Sequence, residues 1–204
     1  AEFVKLDVTD EQAAEQFFQD VVAKHGGLHG LVNCAGIGPS AKVLGKEGVH
    51  DLAMFSKTLQ INVTGTFNML RFAADAMSKN TVEAGDEDRG VIVNTASVAA
   101  FDGQIGQANY SASKGAVVAM TLPIARELAR HAIRIMVIAP GIMETPMLKG
   151  LPQNVQDALG QMVPYPSRLG RPEEFARLVA HIAENSYLNG EVIRLDGGIR
   201  MAAK

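Results

Sequence analysis

A single cysteine, Cys34, stands among 204 residues, so no internal disulfide can form. The five histidines, His25, His29, His50, His131 and His181, show none of the short ligand spacings of a zinc site, which disfavours a metal enzyme. No run reaches the roughly 18 consecutive apolar residues that a membrane helix needs. Ala1 opens on a strand-like segment without a basic-then-apolar leader pattern, and a cytoplasmic address is the default expectation. There is no basic excess to attract nucleic acid: 19 Lys and Arg face 22 Asp and Glu, for a net charge of −3. Internal repeats, low-complexity tracts and interdomain linkers are also lacking.

What is there is an ordinary globular composition, 47% hydrophobic and 20% charged, over a length compatible with one domain spanning residues 1–204. Short apolar runs alternate with longer helical patterns. The order is Phe3–Val8, Glu11–His25, Leu28–Ala35, Met54–Met77 and Gly90–Ala96. A helix from about Ser111 to Leu128, a strand Ile133–Ala139, a helix Pro172–Ala183 and a strand Glu191–Leu195 follow. This rhythm predicts an α/β fold, a doubly wound parallel sheet of Rossmann type with helices on both faces. Leu28–Val32, Val91–Asn94 and Ile133–Ile138 lack two-residue alternation, as strands buried on both faces do.

Two stretches interrupt the rhythm. Gly36–Val49 reads as a long loop at the carboxyl end of a strand, where open α/β sheets bind their ligands. Thr81–Arg89, with Glu83, Asp86, Glu87 and Asp88, reads as a solvated surface loop.

The segment Tyr110-Ser111-Ala112-Ser113-Lys114 lies in a helical context, and its four-residue step places phenol and ammonium on one face. Charges about 5 Å apart at an effective dielectric near 20 interact by about 3 kcal/mol, enough to draw the phenol's pKa down toward the physiological range, with burial opposing. Ser97 follows the strand Gly90–Ala96, and the loop between them can return its hydroxyl beside Tyr110. Each residue also has a plainer reading. A serine after a strand caps a helix, and Asn62, inside a helical pattern, satisfies itself locally. Cys34 fills core space as a small hydrophobe. Pro140-Gly141 makes a turn and Thr145 caps the helix before Pro146. Gln104 and Gln107, between Ser97 and Tyr110, either touch substrate or face solvent.

Asn94-Thr95-Ala96-Ser97 followed by Tyr110-Ser111-Ala112-Ser113-Lys114-Gly115 resembles the active-site signature of the short-chain dehydrogenase/reductase family. Asn33-Cys34-Ala35-Gly36, Asn62-Val63, Pro140-Gly141 with Thr145, Arg168-Leu169-Gly170-Arg171-Pro172 and Asp196-Gly197-Gly198 extend the likeness. The runs Arg89–Phe101, Met120–Arg126 and Asn189–Gly197 resemble the branch of type-2 3-hydroxyacyl-CoA dehydrogenases.

The resemblance implies an oxidoreductase passing a hydride between NAD, with NADP not excluded, and a secondary alcohol or ketone such as a 3-hydroxyacyl-CoA. A 3-oxoacyl carrier-protein reductase and a noncatalytic scaffold subunit are the alternatives. It implies that Tyr110 carries the proton, Ser97 steadies the substrate oxygen, Lys114 holds the nicotinamide ribose, and Asn62 positions a water. Substrate contacts would come from Ser97, Gln104 and Tyr110. Cofactor contacts would come from Asp7, Val8, Asn33, Cys34, Ala35, Gly36, Tyr110, Lys114, Pro140, Gly141, Met143 and Thr145. It further implies a homotetramer packed through Met54–Met77, Ser111–Leu128 and the C-terminal region. The Met143–Pro166 stretch, with Met147, Leu148, Leu151 and Met162, is expected to form an apolar lid.

No glycine-rich turn joins a strand to a helix as a pyrophosphate site requires. Phe3–Val8 resembles the family's third strand, and in the family order 3-2-1-4-5-6-7 two strands would stand between it and Leu28–Val32. The expectation is that the protein continues upstream by about 50 residues, a pair of strand-helix units.

Overall fold

The computed structural model describes residues 1–46, 48–82, 87–145, 148, 150 and 152–203. Its central sheet holds four parallel strands in the order β1 (Gly30–Asn33), β4 (Gly90–Thr95), β5 (Ile133–Pro140) and β6 (Val192–Leu195). Strands β2 (Leu44–Gly45) and β3 (Gly48–Val49) form a separate antiparallel pair inside the stretch that the sequence marks only as a loop. Six helices accompany them among the described residues: α1 (Glu11–His25), α2 (Leu52–Leu59), α3 (Thr66–Ser78), α4 (Ala108–Leu128), α5 (Gln153–Gln161) and α6 (Pro172–Glu184).

The two middle strands are the apolar ones. Every residue from Ile133 to Ala139 is buried, as is Gly90–Asn94. Met69, Leu70, Ala73 and Met77 of α3 and Ala14 and Phe18 of α1 cover one face with Ile92 and Ile135. On the other, Ile182, Phe175 and Leu178 of α6 pack on Val93, Met136 and Ile138. The doubly wound arrangement follows from strands that are apolar on both sides.

Helix α1 matches its sequence boundaries because both ends are chemically marked. Asp10 accepts a hydrogen bond from the Ala13 N–H at 2.9 Å, and Gly26, at φ +81°, returns its N–H to the Val22 carbonyl at 2.8 Å. Arg134 is a buried charge within β5. Its guanidinium donates to the carbonyls of Ile182 (2.8 Å), Ala183 (3.1 Å) and Leu188 (3.0 Å), satisfying the end of α6, and is ion-paired with Asp88.

Two expectations need correction. Phe3–Val8 forms no strand: a parallel strand exists only where a neighbour takes its hydrogen bonds, and among the described residues β1 pairs with β4 alone. Leu6 and Val8 pack on the core while Phe3 and Val4 are exposed. The Met54–Met77 pattern becomes α2 and α3 joined by a π-helical turn, Gln60–Gly65. The Met143–Pro166 stretch contains α5. Met147 and Leu151 lie outside the described residues, as do Glu83 and Asp86.

Candidate active site

The carboxyl ends of β1 and β4 and the first turns of α4 converge on one place. Ser97, two residues beyond β4, has extended backbone. Its Oγ accepts the Ala99 N–H at 3.1 Å, capping a short 3₁₀ turn (Val98–Ala100), and its hydroxyl lies near enough to the Tyr110 phenol to draw that group's pKa down. The plain reading of this serine, a cap, therefore applies. One turn further along α4, Lys114 donates to the Thr95 carbonyl at 2.7 Å, and its Nζ lies 5.9 Å from the centre of the Tyr110 ring.

Electrostatics differ from the sequence expectation. Burial pushes the Tyr110 phenol above its ordinary pKa, with the Ser97 hydrogen bond pulling back. Burial also holds the Lys114 ammonium down at about 8, against a weak opposing pull from the Cys34 sulfur. The ammonium is directed at Thr95, so desolvation outweighs attraction between the two groups.

Asn62, fully buried on the π-helical turn, is tied on three sides. Its Oδ1 accepts the Ile37 N–H at 2.8 Å, and its Nδ2 donates to the Ile37 carbonyl at 2.8 Å and to Ser113 Oγ at 2.9 Å. Local π-helical widening is frequent at functional sites, and here it carries a side chain that joins the loop after β1 to α4.

The remaining predicted residues divide by position. Cys34, Ala35 and Gly36 form an exposed rim just beyond β1, with Cys34 Sγ 3.6 Å from Thr95 Oγ1. Cys34 is thus not core filling, because the chain has left the sheet at Asn33. Asn33 is buried and donates to Asn94 Oδ1 at 2.9 Å and the Thr66 carbonyl at 3.4 Å, fastening β1 to β4. Asp7 spends its carboxylate on the Thr9 N–H (2.9 Å) and hydroxyl (2.8 Å), which hold its pKa below the usual range; Val8 accepts from Asn68 Nδ2 at 3.0 Å.

Farther along the same carboxyl edge of the sheet, Pro140 closes β5 and Gly141 donates to the Leu195 carbonyl at 3.0 Å. Met143 bridges to Gly170 and lines a cavity of about 230 Å³ with Ile142, Val163, Pro166 and Leu195. Thr145 is exposed and its Oγ1 accepts the Leu148 N–H at 3.4 Å, the capping contact that its position suggests. Gln104 donates its side chain to the Ala202 carbonyl at 3.1 Å, and Gln107 Oε1 accepts the Gln104 N–H at 3.0 Å. These glutamines shape their own loop.

The family model described as enoyl-(acyl carrier protein) reductase matches residues 1–200. The 3-hydroxyacyl-CoA dehydrogenase type-2 of Bos taurus is 52% identical over 201 residues, which is 98% of this chain and 77% of that protein. The chain belongs to the short-chain dehydrogenase/reductase family. The Drosophila melanogaster protein of the same name is 53% identical, covering 98% of this chain and 78% of that one. The 3-oxoacyl-[acyl-carrier-protein] reductase FabG of Thermotoga maritima is 37% identical, covering 95% and 75%.

Among solved structures, the Mycobacterium avium 3-hydroxyacyl-CoA dehydrogenase type-2 superposes with a TM-score of 0.94 at 35% identity, over all of this chain and 79% of that one. ElxO with NADP bound superposes at 0.85 and 31%, over 97% and 77%.

As a short-chain dehydrogenase/reductase, this chain is an NAD(P)-dependent oxidoreductase acting on a CH–OH group of a small-molecule substrate. The residues at the site fit a nicotinamide ribose. An ammonium has three donors, and among the described residues the hydrogen bond of Lys114 goes to Thr95 alone. A Cβ on Gly36 would stand 3.6 Å from Lys114 Nζ and 3.2 Å from Asn62 Oδ1, so glycine keeps the approach to the ammonium narrow but open. Sequence reasoning found the three groups that meet here but missed Thr95 as the acceptor for Lys114 and Ser113 as the partner of Asn62. The Thr95 carbonyl leaves no sequence trace; Ser113 was in view inside the Tyr-x-x-x-Lys step.

Proposed function

We propose that this chain is an NAD-dependent 3-hydroxyacyl-CoA dehydrogenase of the cytoplasm, interconverting a 3-hydroxyacyl and a 3-oxoacyl thioester. The observation that carries it is the convergence of Ser97, Tyr110 and Lys114 at the carboxyl end of β4, with Lys114 Nζ 5.9 Å from the Tyr110 ring centre, in a chain 52% identical to the Bos taurus 3-hydroxyacyl-CoA dehydrogenase type-2.

The bound nicotinamide supplies the chemistry of accepting or donating the hydride. The chain's own groups handle the oxygen and the proton. Ser97 Oγ hydrogen-bonds the substrate oxygen, and Tyr110 Oη takes the hydroxyl proton in oxidation and returns it in reduction. A phenol with a raised pKa is protonated at neutral pH, the form needed to donate in the reductive direction. In the oxidative direction the proton must leave, and a bound nicotinamide and a charged Lys114 favour the phenolate. Lys114 presents its remaining donors to the ribose hydroxyls. Because the side chain of Asn62 is engaged with Ile37 and Ser113, a water held by this residue would bond its backbone carbonyl, which also accepts Thr66 Oγ1 at 2.8 Å.

Exposed apolar side chains on α2, α3 and α4, namely Leu52, Phe67 and Leu122, support a homotetramer packed through these helices. The likeness to the Thermotoga maritima carrier-protein reductase supports a second reading, reduction of a 3-oxoacyl carrier protein with NADPH. A scaffold role alone would not account for a buried Lys114 and a shielded Tyr110.

Turnover with NAD and NADP against acyl-CoA and carrier-protein substrates separates the readings. Acyl-CoA oxidation with NAD, abolished by Tyr110→Phe, is the expected result. Activity confined to NADPH and acyl carrier protein selects the second reading, and Tyr110→Phe with undiminished turnover refutes the mechanism.

A further inference from the structure

Helix α4 carries a second four-residue step directly behind the first. Asn109 and Ser113 are both fully buried, each one residue ahead of Tyr110 and Lys114. Successive helical residues are about 100° apart, so the two pairs form adjacent stripes, one facing the loop after β1 and α2, the other facing Ser97.

The buried stripe is hydrogen-bonded to the loop after β1, to α2 and to the π-helical turn. Asn109 Nδ2 donates to the Pro39 carbonyl at 3.1 Å and to Thr58 Oγ1 at 3.0 Å. Ser113 Oγ accepts from Asn62 Nδ2 at 2.9 Å and donates to the Tyr110 carbonyl at 2.7 Å. Asn62 in turn grips Ile37 through both of its backbone groups. The loop is therefore held at Ile37 and at Pro39, on either side of Gly38. That glycine lies on the Tyr110 ring: a Cβ there would meet ring Cε2 at 3.4 Å and Cδ2 at 3.5 Å.

The amide of Asn109 shows which half of its chemistry is needed. Both bonds use the nitrogen, while Oδ1 is buried with no partner among the described residues. Reversing the amide would set its oxygen against the Pro39 carbonyl, so the position requires a donor.

We infer that Asn109 and Ser113 are positioning residues, which clamp Gly38 onto the Tyr110 ring and thereby fix the phenol's shielding from water and its aim at Ser97. This rests on Tyr110 as the proton carrier. Releasing either strap lifts the loop and admits water to the ring, relieving the desolvation that holds the phenol protonated.

The chain has three tyrosines, and Tyr165 and Tyr187 are 83% and 99% exposed. Replacing both with Phe leaves Tyr110 as the sole phenol, whose ionisation is read by ultraviolet difference absorbance on the folded protein. In this background Asn109→Ala and Ser113→Ala are expected to titrate Tyr110 at lower pH than the parent. The alkaline limb of the kcat/KM profile should move the same way, and kcat should fall on the order of 10- to 100-fold with a smaller change in KM. Thr58→Val removes one partner of Asn109 at nearly constant volume and should shift the titration in the same direction by less; it serves if the harsher variants do not fold.

A merely structural role would lower stability and leave the native-state titration in place. Tyr110 ionisation and pH profiles that superimpose on the parent's, in every variant that folds, overturn the inference. Undiminished turnover in Tyr110→Phe is a separate result and defeats only the assignment of the proton carrier.

Discussion

Lys114 Nζ donates to the carbonyl oxygen of Thr95 at 2.7 Å, joining the last residue of β4 to α4. The bond does not offset the desolvation of an ammonium that is only 6% exposed, and burial leaves its pKa at about 8, below the ordinary 10.5. A folded-state value below the unfolded one means that the unfolded chain binds more protons between these two limits, so stability rises with pH across this window. The contribution is fully present above the unfolded value and is lost as pH falls through about 8. The difference corresponds to about 3 kcal/mol. Lys114→Met removes the titrating group, so parent minus variant stability should increase from pH 7 to pH 10 in chemical denaturation, while the variant loses turnover. A difference independent of pH would show that the ammonium is not desolvated.

Ser97 serves both the 3₁₀ turn and the phenol. Ser97→Ala should therefore lower kcat/KM on the order of 10²- to 10⁴-fold, and the unfolding midpoint should fall modestly, since one capping contact contributes about 1 kcal/mol. With the Ser97 hydrogen bond gone, the phenol's pKa moves further up, so the alkaline limb of the rate profile shifts to higher pH. A shift to lower pH would contradict the direction of that bond's influence.

The apolar strands and the helix that covers each face are legible in the sequence because burial on both sides erases polar alternation in Ile133–Ala139 and Val91–Asn94. Phe3–Val8 misleads because strand propensity is local and strand existence is not; without a hydrogen-bonding neighbour the same residues stay irregular. The π-helical turn escapes because Gln60–Gly65 keeps the apolar spacing of an ordinary helix while a buried amide and the close packing of Val8 on Gly65 reshape it. At the site, spacing identifies Tyr110 and Lys114 as neighbours. It does not give the sign of the phenol's pKa shift, which depends on how far Gly38 and its loop exclude water.

Asn62, fully buried, satisfies the partly buried Ile37 N–H and carbonyl and the buried Ser113 hydroxyl at once. Asn62→Ala leaves these groups without that partner, and each unsatisfied buried group costs about 1–3 kcal/mol. The expected loss is about 3 kcal/mol in urea unfolding, water entry into the gap offsetting part of it. Asn62→Asp keeps the acceptor for Ile37 N–H but sets a carboxylate against the Ile37 carbonyl. It should therefore gain stability as pH falls and the added carboxyl becomes protonated and able to donate. An Asn62→Asp protein equally stable at pH 7 and pH 4, relative to the parent, would show that the Ile37 carbonyl does not need this donor.

Arg194, at the end of the sheet, holds the loop that separates Ser97 from Tyr110. It donates to Asp102 at 2.6 and 3.3 Å, to Asp196 at 2.7 Å and to the Ile199 carbonyl at 3.0 Å, and its guanidinium lies 5.3 Å from the Phe101 ring centre. The Arg194 hydrogen bond keeps the Asp102 carboxyl below its ordinary range. A depressed carboxyl contributes stability that is present above its unfolded value and is lost as pH falls through the folded one. Arg194→Met should accordingly unfold at lower temperature than the parent at pH 7, by an amount corresponding to about 2 kcal/mol for a partly buried pair. The gap should narrow below pH 4 as Asp102 is protonated in both proteins. Because the loop also carries Gln104, tied to the Ala202 carbonyl, its release should raise KM more than it lowers kcat. A thermal gap that stays constant from pH 7 to pH 3 would mean that the methylene and stacking contacts of Arg194, rather than its charge, hold this loop.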